Sequence, residues 1–97
     1  MIEEPVVGVH IPLALRPYTG GHDEVITSGY TVGEVLESLG NEHAGVIARV
    51  LSPLGEIDPA YEVWLGGSDI RSLDGLNTPI GLEELVSIVP AKEPAIA

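Results

Sequence analysis

The sequence predicts an α+β fold, a mixed sheet of about five strands with one main helix and one short helix. Three observations carry that expectation. Val32, Val35, Leu36 and Leu39 recur at i, i+3, i+4 and i+7, which puts all four on one face of a helix. Apolar residues alternate along 6–13, 61–65 and 85–89, the period of a half-buried strand. Clusters of Gly, Pro, Asp and Asn separate these segments, and those residues build turns.

Residues 1–5 are expected to fray. In residues 6–13, Val7, Val9, Ile11 and Leu13 share one strand face, with Val6, Gly8, His10 and Pro12 on the other. Pro12 has no N–H for a ladder bond and belongs near the strand end. Arg16-Pro17-Tyr18-Thr19-Gly20-Gly21 is turn chemistry, with two glycines free to take positive φ. Residues 24–28 read as a second, short strand, so the first pair is a hairpin with a long loop.

Thr31 precedes the main helix and Glu34 lies three residues on, the pattern of a capping box. Gly33 weakens that helix by roughly 1 kcal/mol relative to Ala, so the helix needs a sheet to lie on. Gly40 and Asn41 are expected to supply a left-handed stop. Val46, Ile47, Val50 and Leu51 then give a shorter helix over 44–51. Pro53, Gly55 and Pro59 make 52–59 a loop. A third strand spans 61–65, with Tyr61, Val63 and Leu65 opposed to Glu62 and Trp64. Gly66-Gly67 is a hairpin turn, followed by a short fourth strand at 69–71. Residues 73–81 hold Asp74-Gly75 and Pro79 and form another loop. The last strand is 85–89, with Val86 and Ile88 inward, and Pro90 ends it. Residues 1–91 are thus one domain, and 92–97 are expected to be a flexible tail.

A hairpin, a crossing helix and further strands make the β-grasp arrangement. There the first and last strands pair in parallel at the sheet centre, which needs the long crossover this chain has. A ferredoxin-like sandwich is the competing architecture, but it requires a long, late second helix.

Ninety-seven residues with 44% hydrophobic content support a single modest core and exclude a wholly disordered chain. Cysteine is absent, which excludes disulfides, thiolate metal sites and a Cys nucleophile. Fifteen acids face Arg16, Arg49, Arg71 and Lys92, for a formal net charge of −11. Such a surface repels phosphate backbones and anionic membranes, so neither nucleic acid nor membrane is an expected partner. It speeds encounter with a basic protein, although acidity also simply keeps a small protein soluble. With no membrane-spanning apolar run and no signal peptide pattern, the expected location is cytoplasmic.

No set of residues converges on catalysis or on a cofactor, and a stand-alone enzyme is not expected. A calcium loop around Asp74-Gly75 would need Ile70 and Leu82 as ligands, and neither can coordinate. His10, His22 and His43 have no metal-binding spacing and read as ordinary solvated histidines. Ser68 lacks a nucleophile motif. Asp23-Glu24 and Glu83-Glu84 read as solvated element ends, and neither diglycine is followed by a phosphate-loop lysine. Trp64 is the informative residue. By alternation it points away from the helix-covered core, towards outward residues of the last and first strands such as Ser87, Val89 and His10. It is a candidate binding anchor, set against the plainer reading of a partly covered tryptophan with no partner.

Several stretches together resemble the MoaD/ThiS family of ubiquitin-like sulfur carriers, in its CysO-like branch. They are Ile11-Pro12-Leu13-Ala14-Leu15-Arg16-Pro17-Tyr18-Thr19-Gly20-Gly21, Thr31-Val32-Gly33-Glu34-Val35-Leu36, Gly66-Gly67-Ser68-Asp69-Ile70-Arg71, Leu73-Asp74-Gly75-Leu76 with Thr78-Pro79, and Val86-Ser87-Ile88-Val89-Pro90-Ala91. The likeness runs from Val7 to Ala91. It implies a carrier whose terminal carboxylate is adenylated by an activating enzyme and converted to a thiocarboxylate for delivery to a biosynthetic acceptor. The expected docking surface is the sheet face reached by alternation together with the tail, namely Trp64, His10, Ser87, Val89, Pro90, Ala91 and Ala97, with no tail residue matching the family's motif. The family's tail ends in Gly-Gly, which lets the backbone approach a nucleotide closely. Here Lys92-Glu93-Pro94-Ala95-Ile96-Ala97 follows instead, with no glycine after Gly81. The expectation is therefore a sulfur carrier or a degenerate paralogue of one. The alternative is a non-conjugating β-grasp interaction module, an adaptor or regulatory subunit.

Overall fold

The computed structural model describes residues 4–81 and 85–91. The expectations for residues 1–3, for Leu82, Glu83 and Glu84, and for the tail 92–97 with Ala97 lie outside the described residues. Seven elements carry the fold: β1 (Val6–His10), β2 (Glu24–Ser28), α1 (Val32–Glu42), α2 (Ala44–Val50), β3 (Tyr61–Leu65), β4 (Ser68–Asp69) and β5 (Leu85–Pro90). The sheet order is β2-β1-β5-β3-β4. β1 runs parallel to β5, with Val9 opposite Val86 and His10 opposite Ser87. The other neighbours are antiparallel. First and last strands lie side by side at the centre under a crossing helix, which is the β-grasp arrangement.

Alternation decides which side of the sheet is covered. Val7 and Val9, Val63 and Leu65, and Val86 and Ile88 all turn to one side, where they meet Val32, Val35, Leu36 and Leu39 of α1 and Val46 and Val50 of α2. Burying each such side chain is worth about 1.5–3 kcal/mol. The start of α1 is capped as expected, with one shift. The Glu34 N–H donates to Thr31 Oγ1 at 3.2 Å. The Glu34 carboxylate reaches back to the N–H of Tyr30, at 3.0 Å, one residue before the threonine.

Three expectations need correction. β1 ends at His10, and Leu13–Thr19 form a 3-10 helix instead of an extended strand end and open turn. Pro12, with φ −68°, starts that helix, and the Leu15 N–H donates to its carbonyl at 2.9 Å. The three-residue period then buries Pro12 and Leu15 and swings Leu13 outward: Leu15 is 1% exposed and Leu13 75%. The two glycines behave as expected, at φ 68° for Gly20 and 90° for Gly21.

The second correction concerns α1, which runs through Gly40 and Asn41 to Glu42. Gly40 is a packing glycine and not a stop. A Cβ there would stand 2.8 Å from Ile47 Cγ1, so its absence lets α2 lie against α1. The helix ends instead at His43, whose N–H donates to the Leu39 carbonyl at 2.8 Å. The third is β4, expected at 69–71. It covers Ser68–Asp69, and Ile70–Ser72 coil into a 3-10 turn because the Asp69 carboxylate accepts the Arg71 N–H at 2.8 Å. A further 3-10 turn, Gly75–Asn77, lies inside the predicted loop 73–81. No helix among the described residues is long and apolar enough to cross a membrane.

The reassigned pair makes a sharp test. Leu15→Ala should cost about 2–5 kcal/mol in urea unfolding, while Leu13→Ala should stay within about 0.5 kcal/mol. Equal losses would restore Leu13 to the core.

Candidate functional site

The face of the sheet away from the helices carries a continuous cross-strand row. Glu24 lies opposite His10, His10 beside Ser87, Ser87 opposite Trp64, and Trp64 opposite Asp69. The row exists because β-strand side chains alternate, and the partners Val25, Val9, Val86, Val63 and Leu65 take the other side.

Within that row a shallow groove of about 410 Å³ is lined by Glu62, Trp64, Gly66, Ser87, Val89 and Pro90. Two strands build it. Glu62 and Trp64 are alternate residues of β3, and Val89 and Ser87 are their cross-strand partners on β5. The half-buried indole is held in place, because its N–H donates to Glu62 Oε1 at 3.1 Å. The other Glu62 oxygen accepts from Arg71 Nη2 at 3.4 Å. Arg71 also donates from Nη2 to Asp69 Oδ2 at 2.7 Å, and from Nε to both Asp69 oxygens. Trp64, Glu62, Arg71 and Asp69 thus form one chain of contacts. The Arg71 guanidinium is largely exposed, and such pairs orient side chains more than they stabilise folds. Chemically the groove offers an aromatic wall, aliphatic sides and one carboxylate. That set suits an apolar side chain with a cation next to it.

Ser87, Val89 and Pro90 line the groove with Trp64. His10 shares the row but sits on β1, two strands from Trp64, and does not line it. Ala91 lies just past the groove, where its N–H donates to the Ala60 carbonyl at 2.9 Å and fixes the direction in which the chain leaves β5. Ala97 is outside the described residues. Glu62, Gly66 and Arg71 were not anticipated as site residues. The first was detectable, since it alternates with Trp64 on the same strand face. Arg71 was not, because its approach depends on the 3-10 turn after β4.

A larger concavity, about 550 Å³, lies between α1 and α2 beside Gly33, Gly40, Ala44, Ile47, Ala48 and Leu51. Glu37 and Asn41 also line it, but it has no aromatic anchor, whereas the sheet-face groove presents Trp64 beside the end of the last strand and is the stronger candidate. Among the described residues no group of three or more His, Asp or Glu could hold a metal ion.

The hydrogen bonds from Arg71 hold the Asp69 carboxyl below its ordinary value of 3.8, against a smaller opposing effect of burial. A depressed carboxyl stabilises the folded state above its unfolded pKa, and that contribution disappears as pH falls through the folded value. The Arg71 Nε–H resonance should therefore keep its bonded position down to pH 3.8 and move to a free-arginine position only below it. Asp69→Asn should abolish the step. A transition above pH 3.8 would contradict the pairing.

No family model matches the chain. The sulfur carrier protein CysO of Mycobacterium tuberculosis is 36% identical over 87 residues, which cover 88% of this chain and 94% of that protein. The crystal structure of Mycobacterium tuberculosis CysO aligns with a TM-score of 0.83 at 35% identity, covering 89% of this chain and 99% of that one. A chain of the Amycolatopsis orientalis BexX/CysO complex aligns with a TM-score of 0.82 at 30% identity, covering 92% and 99% respectively. The small archaeal modifier protein 1 of Methanosarcina acetivorans has a TM-score of 0.82 at 23% identity, over 97% of this chain and 100% of that one, a likeness of fold alone.

Proposed function

This chain belongs to the ubiquitin-like sulfur carriers of the CysO type, carriers and not enzymes, and from that premise we propose that it docks its open sheet face on a basic, adenylating enzyme. The groove around Trp64 is the docking centre, with Ser87, Val89 and Pro90 as its sides and His10 at its margin. The enzyme activates the carboxylate at the end of the chain, and a sulfur donor then displaces the adenylate to leave a thiocarboxylate. One observation carries the reading above all. The groove lies at the end of β5, directly before Ala91, which supports docking there by an enzyme that acts on the chain beyond Ala91, Ala97 included. The net charge of −11 and the Glu62 carboxylate in the groove favour a partner with a basic surface.

A second reading rests on composition. Lys92, Glu93, Pro94, Ala95, Ile96 and Ala97 contain no glycine, and Pro94 and β-branched Ile96 are bulkier and more restricted residues than a diglycine. A module that docks on the same partner without carrying sulfur fits those residues. Intact-mass analysis after incubation with an activating enzyme, ATP and a sulfur donor separates the two. Carriage predicts exchange of one oxygen for sulfur, whereas binding without exchange leaves the docking module. In either case Trp64→Ala should weaken affinity for the enzyme at least about tenfold. Unchanged affinity would contradict the sheet-face site.

A further inference from the structure

β2 is a margin of the sheet, with β1 on one side and, among the described residues, no strand on the other. The ladder fixes which backbone groups are left over. The Ile11 N–H donates to the Asp23 carbonyl at 2.8 Å, and the Gly29 N–H to the Pro5 carbonyl at 3.1 Å. Within this register the odd-numbered residues therefore exchange bonds between the two strands. The N–H and C=O groups of Glu24, Ile26 and Ser28 point away from the sheet. Five consecutive pairs run without a bulge and β2 contains no proline, so two devices that blunt an edge are missing, and the charge it carries, Glu24, is acidic.

The side chains along this edge have a definite pattern. On the open face the row is Glu24, Ile26, Ser28, and the Ser28 hydroxyl lies 3.5 Å from Glu4 Oε1. Ile26 is 60% exposed, and its cross-strand partner is Gly8, which covers none of it. Read along the strand, the row is Glu24, whose carboxylate leans over Gly8 of β1, then the aliphatic Ile26, then Ser28 with the Glu4 carboxylate behind it on the β1 side. Asp23 precedes the strand, and Glu34 stands at its far end, bonded to the Tyr30 N–H. No lysine or arginine occurs between Arg16 and Arg49. Arg49 lies over the Tyr18 ring at 4.0 Å, and Arg71 is held by Asp69 and Glu62 on the opposite margin. The charged side chains along the edge are all negative.

We propose that β2 accepts an extended basic segment of a partner protein as a sixth strand. The matching pattern is Lys or Arg, any residue, an aliphatic residue, any residue, then Lys or Arg. Main-chain bonds to Glu24, Ile26 and Ser28 supply the pairing, the aliphatic residue covers Ile26, and the two cations face Glu24 and Glu4. A second copy of this chain fits less well, because each copy carries a net charge of −11. The edge lies three strand spacings from Trp64, about 14 Å, so both surfaces can be occupied together.

The test is titration of the isotope-labelled full chain with the peptide acetyl-Gly-Lys-Thr-Ile-Thr-Lys-Gly-amide, followed by amide shifts and hydrogen exchange. Binding should slow exchange at Glu24, Ile26 and Ser28 and weaken with added salt. Complete N-methylation of the peptide backbone, or Ile26→Lys in the protein, should weaken it at least about tenfold. Ile26 is exposed, so that variant keeps its fold. Equal binding of the N-methylated peptide would overturn the proposal, as would shifts confined to Trp64, Ser87 and Val89, or no binding at millimolar peptide. Concentration-dependent protection of Ile26 without peptide would assign the edge to a second copy and overturn it too.

Discussion

β5 is the strand on which the rest of the molecule depends. It is bonded on both sides, parallel to β1 and antiparallel to β3. Nothing local brings it there, since the parallel pairing joins the first and last strands across both helices and three other strands. Its inward residues, Val86 and Ile88, are fully buried beneath α1. Its outward residues, Ser87 and Val89, are two sides of the candidate docking groove. One alternation therefore places half of β5 in the core and half in the site, and a register slip of one residue would exchange them.

The site follows from the fold with little added. Trp64 reaches the open face because Val63 and Leu65 are needed below, and Glu62 accompanies it at the strand period. The indole is then fixed by Glu62, and Glu62 by Arg71, so the aromatic wall is presented in one orientation. The acids do more than confer solubility. Three of the cations sit on the loop helix between β1 and β2, on α2 and at the β4 margin, and strands β1 and β2 and helix α1 contain no lysine or arginine. An acidic surface of this kind raises encounter rates with a basic partner more than it tightens a complex.

Much of this was legible in the sequence. The capped helix, the short strand at 24–28, the alternating strand at 61–65, and the turns at Gly20-Gly21 and Gly66 follow from local periodicity and turn chemistry. Trp64 and its neighbours Ser87 and Val89 followed from alternation once β1 and β5 were placed side by side. The misreadings share one physical origin. Leu13 continues a period of two on paper, yet Pro12 starts a 3-10 turn and the phase changes. Gly40-Asn41 has the composition of a helix stop, yet α2 packs so closely that glycine is required inside the helix. The fourth strand gave way to a turn because a side chain, Asp69, captured a backbone N–H. In each case the nominal pattern lost to a stronger contact: a local backbone turn at Pro12, a tertiary contact at Gly40 and a side-chain cap at Asp69.

The pairing of β1 with β5 is the direct point of attack. Backbone NOEs in the intact protein should connect Gly8 to Leu85, Val9 to Val86 and His10 to Ser87, ascending together as a parallel register requires. Contacts that ascend in β1 while descending in β5, or a β1 that borders β3 instead, would remove the covered core and the groove together.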